Sequence, residues 1–407
     1  MRLERNIVLL FTTRIVRLFA YGFLSIVLVL YLFEIGFDNI HVGILLTSTL
    51  LGDALISLLL TTFADRIGRR KMLLVGALLM ILAGVVFVFT TNIVLLIIVA
   101  IIGVISPGGN EIGPFLSIEQ AALAQLVSDE RRTGFFAWYN LAGSLATALG
   151  ALFGGWLSQI MRSSGVSSLH SYQVLLACYS LAGVILTILF FLLSPLVEAK
   201  LTNNDSLDGR ILGLHKSRKT VFKLSALFAL DAFAGGFVIQ SLIVYWFHTH
   251  FGLDTGVLGS IFFGANILAG VSALLAVKIS SKIGLINTMV FTHIPSNILL
   301  CLVPLMPFSW LAITVLLLRF SISQMDVPTR QSYIMAVVAT DERAAASGIT
   351  TIARSIGASV SPALASALMA IPWLMGVPFL IAGGLKIVYD LLLYNSFKSK
   401  KPPEEAK

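Results

Sequence analysis

Long apolar runs separated by short polar loops set the architecture of this chain. A bilayer-spanning helix needs roughly 20 apolar residues. The pattern predicts helices over about 7–33, 40–63, 71–91, 93–127, 133–161 and 173–197, then 220–250, 255–279, 285–304, 308–338, 344–370 and 374–396. These segments are apolar all round, so length and flanking charge place their ends better than periodicity does. The first run, Ile7 to Phe33, is too long for the apolar core of a cleaved signal and reads as a retained helix. The expected class is an all-α membrane protein with twelve transmembrane helices.

The longest polar stretch lies between Glu198 and Lys219 and reads as a solvated linker. It divides the chain into a six-helix bundle over 1–198, a linker over 199–219, a second six-helix bundle over 220–397 and a tail over 398–407. Cations cluster in one set of loops: Arg2 and Arg5, Arg66 to Lys71, Arg131 and Arg132, the linker, Lys278 and Lys282, Arg343 and the tail. The opposite loops hold Glu34, Asp38 and Asp254, with Arg162 as their clear cation. The positive-inside rule then places both termini in the cytoplasm and the chain in the cell membrane. The halves also repeat. Ala64-Asp65-Arg66-Ile67-Gly68 matches Ser280-Ser281-Lys282-Ile283-Gly284 at an offset of 216, and Ser128-Asp129-Glu130-Arg131 matches Thr340-Asp341-Glu342-Arg343 at 212.

Composition narrows the function classes. Of 407 residues, 57% are hydrophobic and 12% charged, against about 25% charged in soluble domains. A soluble enzyme is excluded in practice. The net charge of +8 belongs to loops, so it points to topology and anionic lipid headgroups and not to nucleic acid. Cys178 and Cys301 sit inside apolar runs as core residues. No phosphate-binding loop, dinucleotide motif, HExxH or paired CxxC occurs. No enzyme activity, cofactor or metal is therefore expected. His248 and His250 are two apart and face different sides of a helix, and His293 reads as a core residue.

The loop Asp65-Arg66-Ile67-Gly68-Arg69-Arg70-Lys71 has its own logic. Glycine permits the reversal, the arginines anchor at headgroups, and Asp65 can accept from a helix N-terminus. Asp65, Arg66, Gly68, Arg69 and Arg70 thus form a candidate conformational latch. This motif, in this place, with twelve helices and a central loop, resembles the major facilitator superfamily over about residues 6–396. The resemblance implies two pseudo-symmetric bundles around a central cavity, alternating access, and cavity lining by helices one, four, seven and ten. Gly150-Ala151-Leu152-Phe153-Gly154-Gly155 is similar to the family's antiporter signature, with Ala151 in place of a proline; Thr61 stands where the family has a glycine.

Ionisable groups inside spans cost about 2.5–3.5 kcal/mol on insertion scales, so each is a functional candidate. Loss of hydration favours the neutral form of a carboxylate. Glu111, Asp231, Glu119, Asp326 and Asp53 are the candidate proton carriers, with Glu111 and Asp231 foremost. Arg17, Tyr21, Asn110, Gln120, Gln240, Arg319, Gln324 and Arg330 are candidate substrate contacts, with Arg319 and Arg330 holding an anionic or polar group. Arg319, Ser323, Asp326 and Arg330 fall on one helical stripe, and Asp326–Arg330 and Lys386–Asp390 are candidate internal ion pairs. Helix four is irregular: Ser106-Pro107-Gly108-Gly109-Asn110-Glu111-Ile112-Gly113-Pro114 frees backbone groups that only protein or a water-filled cavity can satisfy. Gln324-Met325-Asp326-Val327-Pro328 repeats that irregularity in helix ten. Gly143, Gly150 and Gly154 mark close helix packing.

The expected activity is secondary active transport of a small solute by alternating access in a monomer, with protons the favoured coupling ion. Drug or metabolite efflux is favoured over import. The rival readings are an uncoupled facilitative carrier and a non-transporting receptor or scaffold on the same fold.

Overall fold

The computed structural model describes residues 2–109, 114–127, 129–198, 214, 216–339 and 342–398; the side chains of residues 2, 65, 129–134 and 344 stand outside that description, as do Asn110 and Glu111 entirely. The described structure is helical, without strands. In chain order the helices are α1 (Arg2–Glu34), α2 (Asn39–Ile67), α3 (Arg69–Phe89), α4 (Ile93–Ile102), α5 (Pro114–Leu126), α6 (Asp129–Ser163) and α7 (Ser168–Phe191). After the linker come α8 (Arg218–Gly236), α9 (Gln240–Phe251), α10 (Thr255–Ile283), α11 (Leu285–Leu302), α12 (Ser309–Phe320), α13 (Asp326–Val337), α14 (Arg343–Met369) and α15 (Val377–Phe397). Among the described residues, ten segments are long and apolar enough to cross a bilayer, counting α8 and α9 as one. The pairs α4–α5 and α12–α13 supply the remaining two crossings of the twelve-helix pattern.

Helices four, seven and ten are each interrupted, the first and third at the irregular motifs read from the sequence. The first break follows Ile102 and the third spans residues 321–325, beside the two irregular motifs. The break in helix seven was not anticipated. It falls after Gly235-Gly236, where α8 ends and the chain re-enters a helix at Gln240. Paired glycines hold the backbone weakly and admit such a kink. Helix six stops at Phe191 rather than 197, because Ser194 and Pro195 open a separate turn in which Ser194 Oγ accepts from Leu196 N.

The chain divides into two compact units. One comprises Met1–Asn203 with Ile239–Asn266; the other comprises Asn204–Val238 with Ile267–Lys407. In the first unit α1 lies along α6. A methyl on Gly150 would sit 2.0 Å from the Phe19 carbonyl oxygen, and one on Gly22 would sit 2.2 Å from that of Thr147. In the second unit α8 lies along α14 in the same way, with Gly357 against the Ala229 carbonyl. In lipid there is no hydrophobic drive between helices, so backbone contact across small residues supplies the adhesion. The expected packing role of Gly143, Gly150 and Gly154 is borne out: they face Arg14, Phe19 and Phe23.

The repeated loops have matching geometry. Gly68 joins α2 to α3 at φ 121° and Gly284 joins α10 to α11 at φ 86°, both in the left-handed region open to glycine. Each glycine N–H donates to the carbonyl four residues back, Ala64 or Ser280, and each glycine carbonyl accepts from the residue four ahead, Met72 or Thr288.

Two carboxylates, half-buried Glu198 and buried Glu342, close helix ends. Glu198 accepts from Arg69 N at 2.6 Å and Arg70 N at 3.3 Å, capping α3 in the first unit. Glu342 accepts from Lys216 N at 2.7 Å and Ser217 N at 2.8 Å at the start of α8 in the second. Both place negative charge on the positive end of a helix. Elsewhere Asp38 caps α2; hydrogen bonding from His41 N holds its carboxyl below the usual range.

The α1–α6 contact makes a stability prediction. Gly150→Val should lower the melting temperature by the equivalent of about 1–3 kcal/mol of overpacking. Gly384→Ala, with nothing within 4 Å of the added carbon, should change it little. Thermal unfolding of the purified variants checks both.

Candidate functional site

The first unit buries a complete ion pair. Arg17 on α1 and Glu119 on α5 are both 0% exposed. Arg17 donates to Glu119 at 2.9 Å and 2.6 Å, Thr13 Oγ1 donates at 2.8 Å, and the Tyr139 hydroxyl on α6 is a further donor. The Arg17 guanidinium also lies over the Phe115 ring, 4.7 Å from its centroid. Four hydrogen bonds converge on the carboxylate, so Glu119 and Arg17 are positioned as a tie between α1, α5 and α6. Arg14, one turn earlier, donates to Asn140 at 3.2 Å and lies over Tyr139.

Asp53 is different. It is 1% exposed on α2, and neither carboxylate oxygen has a hydrogen-bond partner. Tyr179 is its electrostatic neighbour, and the Tyr179 ring stacks on that of Tyr21 at 6.4 Å. Tyr179 donates to the Val104 carbonyl at 2.8 Å. Val104 stands at the break after α4 with φ 53°, a left-handed conformation costly for a β-branched residue.

One freed carbonyl of helix four, that of Pro107, is satisfied by protein. Ser241 on α9 donates through both its amide, at 3.2 Å, and its hydroxyl to the Pro107 carbonyl. Gln240 donates to Ser25 at 2.7 Å and accepts from Asn266 at 3.4 Å. Gln240 and Tyr21 are thus packed inside this unit, while Gln120 is half-buried. Asn110 and Glu111 lie outside the described residues.

The second unit holds a larger network, centred on Asp231 of α8. Lys386 of α15 donates to one oxygen at 2.5 Å; Arg330 of α13 and Arg354 of α14 donate to the other at 3.3 Å each. Arg330 also donates to Asp326 at 2.9 Å, which is the i,i+4 pair read from the sequence. Gly235 lies beside Lys386, whose ammonium would be 3.7 Å from a methyl there, an ordinary contact. Asp390, expected opposite Lys386, instead faces His293 at 2.9 Å and Asn297 at 3.0 Å. The stripe from Arg319 to Arg330 is not one helical face, because α12 ends at Phe320 and α13 begins at Asp326. Arg319 lies over the neighbouring Phe320 ring, and its Nε is buried without a partner. Gln324 N donates to Ser272 at 3.0 Å, and its side chain is half-buried.

Of the candidate latch, Arg69 donates to Gln125 at 3.1 Å and Arg70 to the Phe191 carbonyl at 2.7 Å. Arg66 is exposed, and the Asp65 side chain lies outside the description. Sequence reasoning missed Glu198, Glu342, Arg354 as a partner of Asp231, and the His293–Asp390 pair. Glu342 had a signal in the repeated Asp-Glu-Arg loop. His293 had none, since its partner is 97 residues away.

Breaking the Arg17–Glu119 tie leaves one buried charge alone. Glu119→Leu should cost about 3–5 kcal/mol of stability, and adding Arg17→Met should restore most of it. Thermal-shift assays of the single and double variants measure the recovery.

Comparison with known proteins agrees with this architecture. The Major Facilitator Superfamily model matches residues 10–362. "Uncharacterized membrane protein YJR124C" of Saccharomyces cerevisiae (strain ATCC 204508 / S288c) is 29% identical, over 97% of this chain and 94% of its own. Among solved structures, a mutant of the nucleoside transporter NupG has a TM-score of 0.75 at 15% identity, covering 96% of this chain and 99% of that one. The D-xylose-proton symporter has a TM-score of 0.71 at 16% identity and 98% coverage of both chains. The human organic anion transporter MFSD10 (TETRAN) has 0.64 at 15% identity, with 97% and 100% coverage. The chain belongs to the Major Facilitator Superfamily and is a multi-pass membrane transporter.

Proposed function

We propose that the protein is a secondary active transporter that moves a small solute by alternating access, driven by a proton gradient. The observation that carries the coupling is Asp53: a carboxyl 1% exposed on a spanning helix, with no donor on either oxygen. An ionised carboxylate is acceptor-only and needs donors or a cation when water is removed. The neutral acid suits that site, and exposure to water lets it ionise. Gain and loss of the proton would then follow the change in solvent access.

The other carboxylates fit a different role. Asp231 lies among three cations, Asp326 is paired with Arg330, and Glu119 accepts four hydrogen bonds, two of them from Arg17, so each serves as a partner to buried cations. Glu111 stays a second coupling candidate by its place in helix four. In this reading the loop of Asp65, Arg66, Gly68, Arg69 and Arg70 is the latch, anchored on its own unit through Arg69 and Arg70. The loop charges favour cytoplasmic termini in the cell membrane, and the solute's direction is efflux of a metabolite or drug by a monomer.

Proteoliposomes given a mixed metabolite pool and an imposed pH gradient, with luminal solutes read by mass spectrometry, test the coupling. The wild type should concentrate a subset of solutes against their gradients. Asp53→Asn should leave only equilibration of that subset. Gradient-driven accumulation surviving intact in both Asp53→Asn and Glu111→Gln would overturn the proton-coupled reading.

A further inference from the structure

We infer that the interior of the second unit is an anion-binding site, and that the solute carries a small oxyanion group, a carboxylate or a phosphate, held by Arg354 and Arg319. The inference rests on the carrier reading above, since it needs water and solute to reach the unit's interior. It does not depend on what ion drives transport.

The argument is one of charge and of unfilled donors. Among the described residues inside this unit's helices whose side chains are not exposed, the cations are Arg319, Arg330, Arg354 and Lys386, and the carboxylates are Asp231, Asp326 and Asp390. Four positive groups therefore face three negative ones, before His293 is counted. Glu342 stands apart at the start of α8, where it accepts from Lys216 N and Ser217 N, and the carboxylates acting on Arg319, Arg330 and Arg354 are Asp231 and Asp326. A net charge inside a low-dielectric interior is costly unless a counter-ion joins it.

The surplus is localised. Lys386 and Arg330 are closely tied, at 2.5 Å to Asp231 and 2.9 Å to Asp326. Arg354 is looser and more open. Its contact with Asp231 is 3.3 Å, and its side chain keeps 33% of its exposure. A guanidinium offers five N–H donors, and one nitrogen of Arg354 is engaged. Arg319 makes no hydrogen bond to a protein acceptor among the described residues; it lies over Phe320 at 4.9 Å, within the fields of Asp231 and Asp326. Guanidinium forks match the paired oxygens of carboxylate and phosphate, where an ammonium offers only a point charge. The two arginines with free donors are thus the ones suited to an oxyanion, and the tightly paired cations are the ones that hold Asp231 and Asp326.

Purified full-length protein gives the test without any gradient. Its melting temperature is measured at fixed ionic strength in chloride, then with acetate or inorganic phosphate replacing chloride, and with acetamide as the neutral control. Acetate, phosphate or both should raise the melting temperature in a saturable way, and acetamide should not; the difference between the two anions identifies the headgroup. Arg354→Met should weaken the effect on the order of 10-fold to 100-fold in the concentration needed. In chloride alone it should melt no lower than wild type, because it removes the unmatched charge. Lys386→Met, which strips a close partner from Asp231, should melt lower. Arg319→Met provides the same anion readout should Arg354→Met fail to fold. The inference is overturned if neither oxyanion stabilises beyond chloride, if acetamide stabilises equally, or if both arginine variants keep the full shift. An anion shift without gradient-driven accumulation in proteoliposomes would retain this site and remove the proton-coupled reading.

Discussion

Charge buried in a membrane protein must be matched where it stands, and this constraint organises both units. In the first, Glu119 gathers Arg17, Thr13 and Tyr139 from three directions. That closes a balanced pair between α1, α5 and α6. In the second, Asp231 gathers Lys386, Arg330 and Arg354 from α15, α13 and α14. There the positive groups outnumber the negative ones. The first arrangement fixes helices; the second fixes helices and leaves donors over. A protein built only for rigidity would have little reason to keep an open guanidinium beside a complete pair. A carrier has such a reason, because the missing partner is the cargo.

Helix adhesion follows a second constraint. Lipid removes the hydrophobic drive between helices, so backbone approaches backbone across glycine. Gly22 and Gly150 do this between α1 and α6, and Gly357 does it between α8 and α14. The same solution in each unit, with left-handed Gly68 and Gly284 at matching junctions, gives the sequence repeat a structural counterpart. The breaks in helices four, seven and ten leave backbone groups that need partners. Ser241 answers one of them at the Pro107 carbonyl.

The helices were legible because apolar runs of spanning length have few other uses. The breaks in helices four and ten were legible as glycine and proline clusters. The one at Gly235-Gly236 was not, since two glycines in a spanning helix read equally well as packing residues. The candidate site was legible as a set of ionisable groups and not as a set of pairs. Asp326–Arg330 could be read from i,i+4 spacing. Lys386 and Asp390 have that spacing too, yet each found a closer partner on another helix, Asp231 and His293. Local spacing proposes ion pairs; the three-dimensional positions of competing charges decide them. Glu198 looked like linker polarity, and only the approach of α3's first turn makes it a cap.

The central claim is that the second unit's excess of cations awaits an oxyanion. The most direct measurement is an experimental structure of the protein with selenate, whose selenium can be located by anomalous scattering. The account predicts selenate within hydrogen-bond distance of Arg354 or Arg319, with Lys386 still on Asp231. Selenate bound only at exposed loop cations, with an experimental carboxylate closing on both arginines, would contradict it.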